Sequence, residues 1–501
     1  MSAESILHLT YNTRQTRDWS KARDFFLARD RFLHAMIKRD GRGTVFAQYR
    51  SPDGSLVSCP FLGDDFRQHS LVLGGTGAGK SSLLEAMART LLRLGRSFIL
   101  IDPHGDLAHR VERWVRTSSR LKLVALDFTH PSTLPAWNPI ARMDDVEPSR
   151  QVDLLVSVLK RLYAGEKAVS WAWGVKIEEI VRVSLRGLIE SDRAVTLLDL
   201  ERLLTEEDFR IDVLQSAGPE VQAYFRDRFG AREEMYVSAV VNKLSPLLDS
   251  PAVRAFLGRP QTTFDLLGCI DRPVAVVVNL ARGSLGAAAD VLGRLLTNSL
   301  LLASLRRERQ VPEIRRPVTI LVDEAHSFAG EESGLADLLV VGRKYKVSLV
   351  LAAQGLSLFP PRLRTLLTGN TGRQYFFRLP YAEARLLGPD ILEPLGNIPR
   401  ERVRPYDLLT DPLLTPDEEI RRRTHDLADL PRGACYWALR GTRYKARRVQ
   451  ILRPENPPNT LRPSSTGFTI DAYPADRPAR GTAIEHRAGM EGARSDAPSL
   501  E

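Results

Sequence analysis

The chain has 501 residues, 43% of them hydrophobic and 26% charged, which excludes disorder throughout and leaves enough apolar content for a large core. Lysine and arginine number 71 against 61 acidic residues, a formal net charge of +10, so the surface suits polyanions such as nucleic acid or an anionic membrane face. Cys59, Cys269 and Cys435 stand far apart, which argues against a disulfide framework or a zinc knuckle and fits a reducing, cytoplasmic setting.

Residues 1–40 mix Phe25, Phe26, Phe32, Leu33, Met36 and Ile37 with arginines and lysines, the pattern of a basic amphipathic helix. No apolar stretch with a cleavage site opens the chain, and no run of about 18 apolar residues follows, so neither a signal peptide nor a membrane span is expected. TVFAQY and SLVSCPFL flank the turn signature Ser51-Pro52-Asp53-Gly54 and predict a hairpin over 44–62.

The run 70–74 predicts a buried strand, and residues 82–94, apolar at Leu83, Leu84, Met87, Leu91 and Leu92, predict a helix. Between them Gly74-Gly75-Thr76-Gly77-Ala78-Gly79-Lys80-Ser81 matches G-x-x-x-x-G-K-[ST] at every fixed position. In that context the glycines let the backbone, through Ser82, curl around phosphate oxygens. Lys80 reaches the β- and γ-phosphates of a nucleotide such as ATP, and the Ser81 hydroxyl binds Mg²⁺.

Strands are expected next at 98–102 and 123–127. The first ends in Asp102-Pro103-His104-Gly105-Asp106, which reads equally as a turn with a helix-capping aspartate or as a catalytic part. From Asn138 to about Thr263 the apolar residues move to helical spacing, as in Val152, Leu155, Leu159 and Ile177, Ile180, Leu188, and predict an all-helical insertion.

Strands resume at 274–280, 318–324, 347–354 and 374–379, and strands alternating with helices imply a doubly wound, mostly parallel α/β sheet. Asp323 and Glu324 end an apolar strand, the Walker B pattern: Asp323 holds Mg²⁺ and Glu324 polarises the attacking water. Gln354, closing its strand, could bond the γ-phosphate or that water, or merely enter a surface loop. Two arginines are candidates for a cation supplied to the γ-phosphate: Arg343 in Gly342-Arg343-Lys344-Tyr345, and Arg373. Arg421-Arg422-Arg423 and Lys445-Ala446-Arg447-Arg448 are the densest basic clusters, and from Arg453 the proline-, glycine- and serine-rich composition predicts a disordered tail.

Taken together, LVLGGTGAGKSSL, ILIDPHGDL, ILVDEAH, GRKYKVSLVLAAQ and NTGRQYFFRL resemble, in order, the signature blocks of the HerA–FtsK superfamily of DNA-pumping P-loop ATPases. The likeness is greatest to type IV coupling-protein ATPases of conjugation (TraG/TraD-like) and their soluble relatives, and covers roughly Gly63 to Leu439. It implies a RecA-like core with an all-α insertion domain between Walker A and Walker B, and a division at 1–62, 63–139, 140–265, 266–452 and 453–501. It further implies a hexameric ring with nucleotide at subunit interfaces and DNA, held by its backbone, in the channel. Arg343 then becomes the preferred trans-acting finger, with Arg373 the alternative. Membrane-anchored coupling proteins begin with a transmembrane segment that is not legible here, so either a partner supplies the membrane or the motor works in the cytoplasm; a relaxase or secretion-channel protein is the partner expected for conjugation. The alternatives are a nuclease partner for HerA-like DNA processing or phage defence, an assembly switch that moves no DNA, and a pump for protein.

Overall fold

The computed structural model describes residues 44–50, 56–61, 63–118, 120–142, 147–163, 174–330, 333–392, 415–439 and 447–452. The basic helix expected over 1–40, the turn of the hairpin, the tail from 453 and the start of the second basic cluster lie outside them.

The strands are β1 (Thr44–Arg50), β2 (Leu56–Phe61), β3 (His69–Leu73), β4 (Ser97–Asp102), β5 (Lys122–Asp127), β6 (Val274–Asn279), β7 (Val318–Val322), β8 (Val347–Ala353), β9 (Thr371–Phe376), β10 (Ala434–Leu439) and β11 (Arg447–Ile451). They form one sheet in the order β2-β1-β11-β10-β9-β3-β8-β7-β4-β6-β5. From β9 to β5 every neighbouring pair is parallel. The strands β10, β11, β1 and β2 extend the sheet with antiparallel pairings.

Parallel strands are covered on both faces, which is why they read as unbroken Val/Ile/Leu runs. Every residue of β3, β4, β6, β7 and β8 is buried. Because side chains alternate along a strand, Leu71, Leu73, Ile99 and Ile101 enter one core while Val72, Phe98 and Leu100 enter the other. The second core is closed by α1 (Lys80–Arg93) and α2 (Asp106–Arg116), through Leu83, Met87, Leu91, Val111 and Val115.

Between β5 and β6 the described elements are mainly helices: α3 (Pro148–Tyr163), α4 (Val175–Glu190), α5 (Asp199–Thr205), α6 (Glu207–Leu214), α7 (Pro219–Asp227), α8 (Ala231–Leu248) and α9 (Pro251–Leu257). Their buried residues Val152, Leu159, Ile180, Leu185 and Phe256 belong to one cluster with Leu292 and Leu296 of α10 (Ala287–Arg306) and with Ile99 and Leu126 of the sheet. These helices therefore continue the core of the sheet. Among the described residues one helical stretch, Ala287–Arg309, is long and apolar enough to cross a membrane, and 78% of its apolar window is buried inside the fold. The remaining helices used below are α11 (Gly334–Val341), α12 (Pro361–Asn370), α13 (Tyr381–Ile391) and α14 (Pro416–Ala428).

Strands β10 and β11 were not legible in the sequence. In β11 Arg448 and Gln450 face solvent while Val449 and Ile451 are buried, so a strand alternation hides inside what reads as a basic cluster. The other cluster, Arg421-Arg422-Arg423, lies on α14.

Candidate nucleotide site

The loop between β3 and α1 is shaped by glycine. Gly77 and Gly79 have φ of 70° and 126°, values that side-chain-bearing residues rarely adopt. A Cβ on Gly74 would lie 2.5 Å from Cβ of Phe377. Three backbone bonds hold the loop from outside: Gly74 N–H donates to Ala353 O (3.1 Å), Gly75 N–H to Arg378 O (2.8 Å), and Gly433 N–H to Ala78 O (2.8 Å). The ends of β8 and β9 and the turn before β10 thus grip the loop, leaving Thr76, Gly77 and Ser81 exposed and Ser82 half-buried.

Lys80 opens α1 and is 6% exposed. Its Nζ donates to Gly74 O at 2.8 Å and to Gly75 O at 3.4 Å, and stands 3.7 Å from Glu324 Oε1. Ser81 Oγ donates to Asp323 Oδ2 at 3.2 Å. Since β8 lies between β3 and β7, Gln354 at its end falls between the two motifs, and its Nε2 donates to Glu324 Oε1 at 3.4 Å. Lys80, Ser81, Asp323, Glu324 and Gln354 are thereby brought into one cluster. Ser81 and Asp323 present a hydroxyl and a carboxylate, the hard oxygen donors that suit Mg²⁺. Glu324 Oε2 is buried without a hydrogen-bond partner.

Asp323 is held in the ladder by its N–H, which donates to Ile101 O at 3.0 Å. Burial, reinforced by the neighbouring carboxylates Asp102 and Glu324 and opposed by Lys80, pushes its pKa up to about 6. Asp102 itself accepts the N–H of His104 and of Ala108, each at 2.9 Å, and so caps α2. Gly105 has φ of 96°, and a Cβ there would meet Asn279 Oδ1 at 2.6 Å.

The two candidate arginines lie elsewhere. Arg343 is exposed in the 3₁₀ turn Gly342–Tyr345 that precedes β8. Seven strand residues at about 3.3 Å each separate it from the Gln354 end, roughly 20 Å. Its side chain does not reach the cluster of Lys80, Glu324 and Gln354 in its own chain. Arg373 pairs with Ser70 in the register of β9 with β3, is 9% exposed, forms an ion pair with Asp65 and lies 5.9 Å from the Trp437 ring centroid. Arg373, the alternative finger, is therefore held against Asp65 inside the fold, beside the start of β3 rather than at the loop that follows it.

Three residues at the site went unassigned in the sequence. His326 has Nδ1 3.4 Å from Glu324 Oε2, and burial lowers its pKa; its place two residues after Glu324 was the available signal. Arg378 is exposed at the end of β9, with its backbone bonded to the phosphate loop. Glu383 reaches the backbone just beyond Gln354 from α13.

Residues 20–172 match a family model described as type IV secretory system conjugative DNA transfer. Over 150 residues the chain is 29% identical to the type 4 coupling protein DotL of Legionella pneumophila, a match covering 28% of this chain and 19% of that protein. In three dimensions it is similar to the bacterial conjugative coupling protein TrwBdeltaN70 (TM-score 0.55, 18% identity, 80% of this chain and 88% of that one). TrwB has also been solved in complex with ADP and Mg²⁺ (TM-score 0.55, 19% identity, 79% and 88% covered). A further likeness is to VirB4 of Thermoanaerobacter pseudethanolicus (TM-score 0.52, 15% identity, 83% and 97% covered). The sequence match to conjugative DNA transfer is thus confined to the amino-terminal third, that to a coupling protein to 28% of the chain, and the fold is like that of the solved coupling protein and of VirB4.

Proposed function

We propose that the chain is a Mg²⁺-dependent ATPase that drives conjugative DNA transfer, working as a ring of identical subunits. The observation that carries the proposal is the meeting of two motifs 242 positions apart, Ser81 Oγ on Asp323 Oδ2 at 3.2 Å, with Glu324 between Lys80 and Gln354. The match to a conjugative DNA transfer family and to coupling proteins supports the substrate.

The phosphates of ATP lie in the loop 74–81, against backbone amides and the amino end of α1. Lys80 exchanges the carbonyls of Gly74 and Gly75 for β- and γ-phosphate oxygens. Ser81 and Asp323 would hold Mg²⁺, which supplies charge neutralisation on those phosphates. Glu324 orients and polarises the attacking water, and Gln354 hydrogen-bonds that water or the γ-phosphate. Arg343 serves a neighbouring subunit's nucleotide. The helices between β5 and β6, over 140–265, form the accessory unit of the motor. A relaxase or secretion-channel component presents the DNA, which is gripped by its backbone without base readout.

The test separates binding from chemistry. Lys80→Ala is expected to weaken nucleotide binding, whereas Glu324→Gln retains bound ATP and loses turnover by roughly a hundredfold or more. Equal loss of binding in both variants would contradict this division of roles.

A further inference from the structure

We propose that Glu383 is a positioning residue for Gln354, tying the γ-phosphate side of the nucleotide site to the helix pair α13–α14. The inference rests on the nucleotide reading above. Glu383 is 8% exposed and sits in the first turn of α13. Its carboxylate turns away from its own helix: Oε2 accepts the N–H of Leu356 and Oε1 that of Ser357, both at 3.0 Å.

Those amides lie two and three residues beyond Gln354. A buried carboxylate is costly unless hydrogen-bonded, and bonds to a charged acceptor are stronger than neutral ones, so two successive amides on one carboxylate fix the direction of the chain leaving β8. Gly355 permits the approach, since a Cβ there would lie 2.9 Å from Glu383 Cδ. Gln354 in turn donates to Glu324. The series Glu324, Gln354, loop backbone, Glu383 is continuous.

It ends in a unit with a second hold on the site. Helix α13 packs closely on α14: a Cβ on Gly388 would meet Thr424 Oγ1 at 2.5 Å, and Leu387, Ile391, Leu427 and Leu430 share one core. Beyond α14, Gly433 N–H donates to Ala78 O in the phosphate loop at 2.8 Å. The α13–α14 unit thus touches both the loop that binds phosphates and the loop that carries Gln354. A change in the Gln354 contact between ATP and ADP is passed to this unit through Glu383.

The experiment compares Glu383→Ala, Glu383→Gln, Gln354→Ala and the double Glu383→Ala/Gln354→Ala variant in the full chain. It measures kcat and KM for ATP, and equilibrium affinity for ADP and for the β,γ-imido analogue of ATP. Glu383→Ala is expected to lower kcat roughly 10- to 100-fold through misplacement of Gln354, with KM and ADP affinity within about twofold. It should also lose roughly three- to tenfold of the preference for the triphosphate analogue over ADP, the scale of one hydrogen bond. Adding Gln354→Ala should lower kcat no further. Glu383→Gln, which keeps one acceptor, should fall between parent and Glu383→Ala, and it stands in for the alanine variant should that fail to fold.

Effects that multiply in the double variant, ADP affinity falling along with that of the analogue, or unchanged kcat and preference would each overturn the role of Glu383. Glu324→Gln separates this failure from failure of the underlying reading: parent turnover that survives Glu324→Gln overturns the nucleotide reading and the proposal with it.

Discussion

Glu324 adopts φ 45° and ψ 45°, a left-handed conformation costing a residue with a side chain about 1–2 kcal/mol. It follows a strand buried at every position, so the surrounding sheet supports the strain, and the turn brings its carboxylate to Lys80 and Gln354. Asp323 beside it stores a second cost. Its pKa rises from 3.8 to about 6 through burial and the carboxylates of Asp102 and Glu324. The stability contributed by the protonated group is fully present below the unfolded value and is lost as pH rises through 6, about 3 kcal/mol in all. In the absence of nucleotide, Asp323→Asn is therefore expected to remove this loss. Urea midpoints measured from pH 4 to pH 7 should fall for the parent relative to the variant, since buried His69, lowered to about 4, acts on both alike; a difference between the two curves that stays constant with pH would contradict the shift. Lys80, Ser81, Asp323 and Glu324 were legible because each motif is contiguous and abuts an apolar strand. Arg373 and Glu383 were not, because their roles depend on distant partners: Asp65 lies 308 positions from Arg373, and Glu383 reads locally as an acidic residue suited to a helix amino end.

The parallel strands were legible for a physical reason: burial on both faces leaves Val/Ile/Leu runs with little alternation. The antiparallel strand β11, by contrast, carries Arg448 on its solvent side, which conceals it. The sequence also gives no sign of the strand order, and it is the placement of β8 between β3 and β7 that delivers Gln354 to Glu324. At the amino ends of the strands Arg307 performs the joining. Its side chain is fully buried after α10, its Nε donates to Asp271 Oδ1 at 2.9 Å, and its Nη groups donate to the carbonyls of Arg316 (2.9 Å), Tyr345 (2.8 Å) and Ile270. It thus ties together the segments that enter β6, β7 and β8. Arg307→Met leaves these acceptors without their donor and is expected to cost roughly 3–5 kcal/mol. Arg307→Lys should recover only part, since an ammonium lacks the planar fork. Urea denaturation at constant m-value checks this, and a loss under about 1 kcal/mol would contradict the role.

After Leu452 the sequence holds 6 arginines against 7 acidic residues, so the preceding part of the chain carries all of the positive excess, a net charge of +11. The proposed nucleotide site lies at the carboxyl ends of the parallel strands, and exposed Arg343 at the amino end of β8. That separation requires a neighbour if Arg343 is to meet a γ-phosphate. Mixing Arg343→Ala subunits with Glu324→Gln subunits, each inactive alone, is expected to restore part of the hydrolysis; no recovery would exclude action across an interface. The central claim, a nucleotide site coupled to DNA, is tested most directly by steady-state ATP hydrolysis with and without single- and double-stranded DNA, over a range of salt and with Glu324→Gln as the blank. Several-fold stimulation by DNA that fades as salt rises is the predicted result, because phosphate contacts release counterions. Hydrolysis that is abolished in Glu324→Gln yet indifferent to DNA at every salt concentration would contradict it.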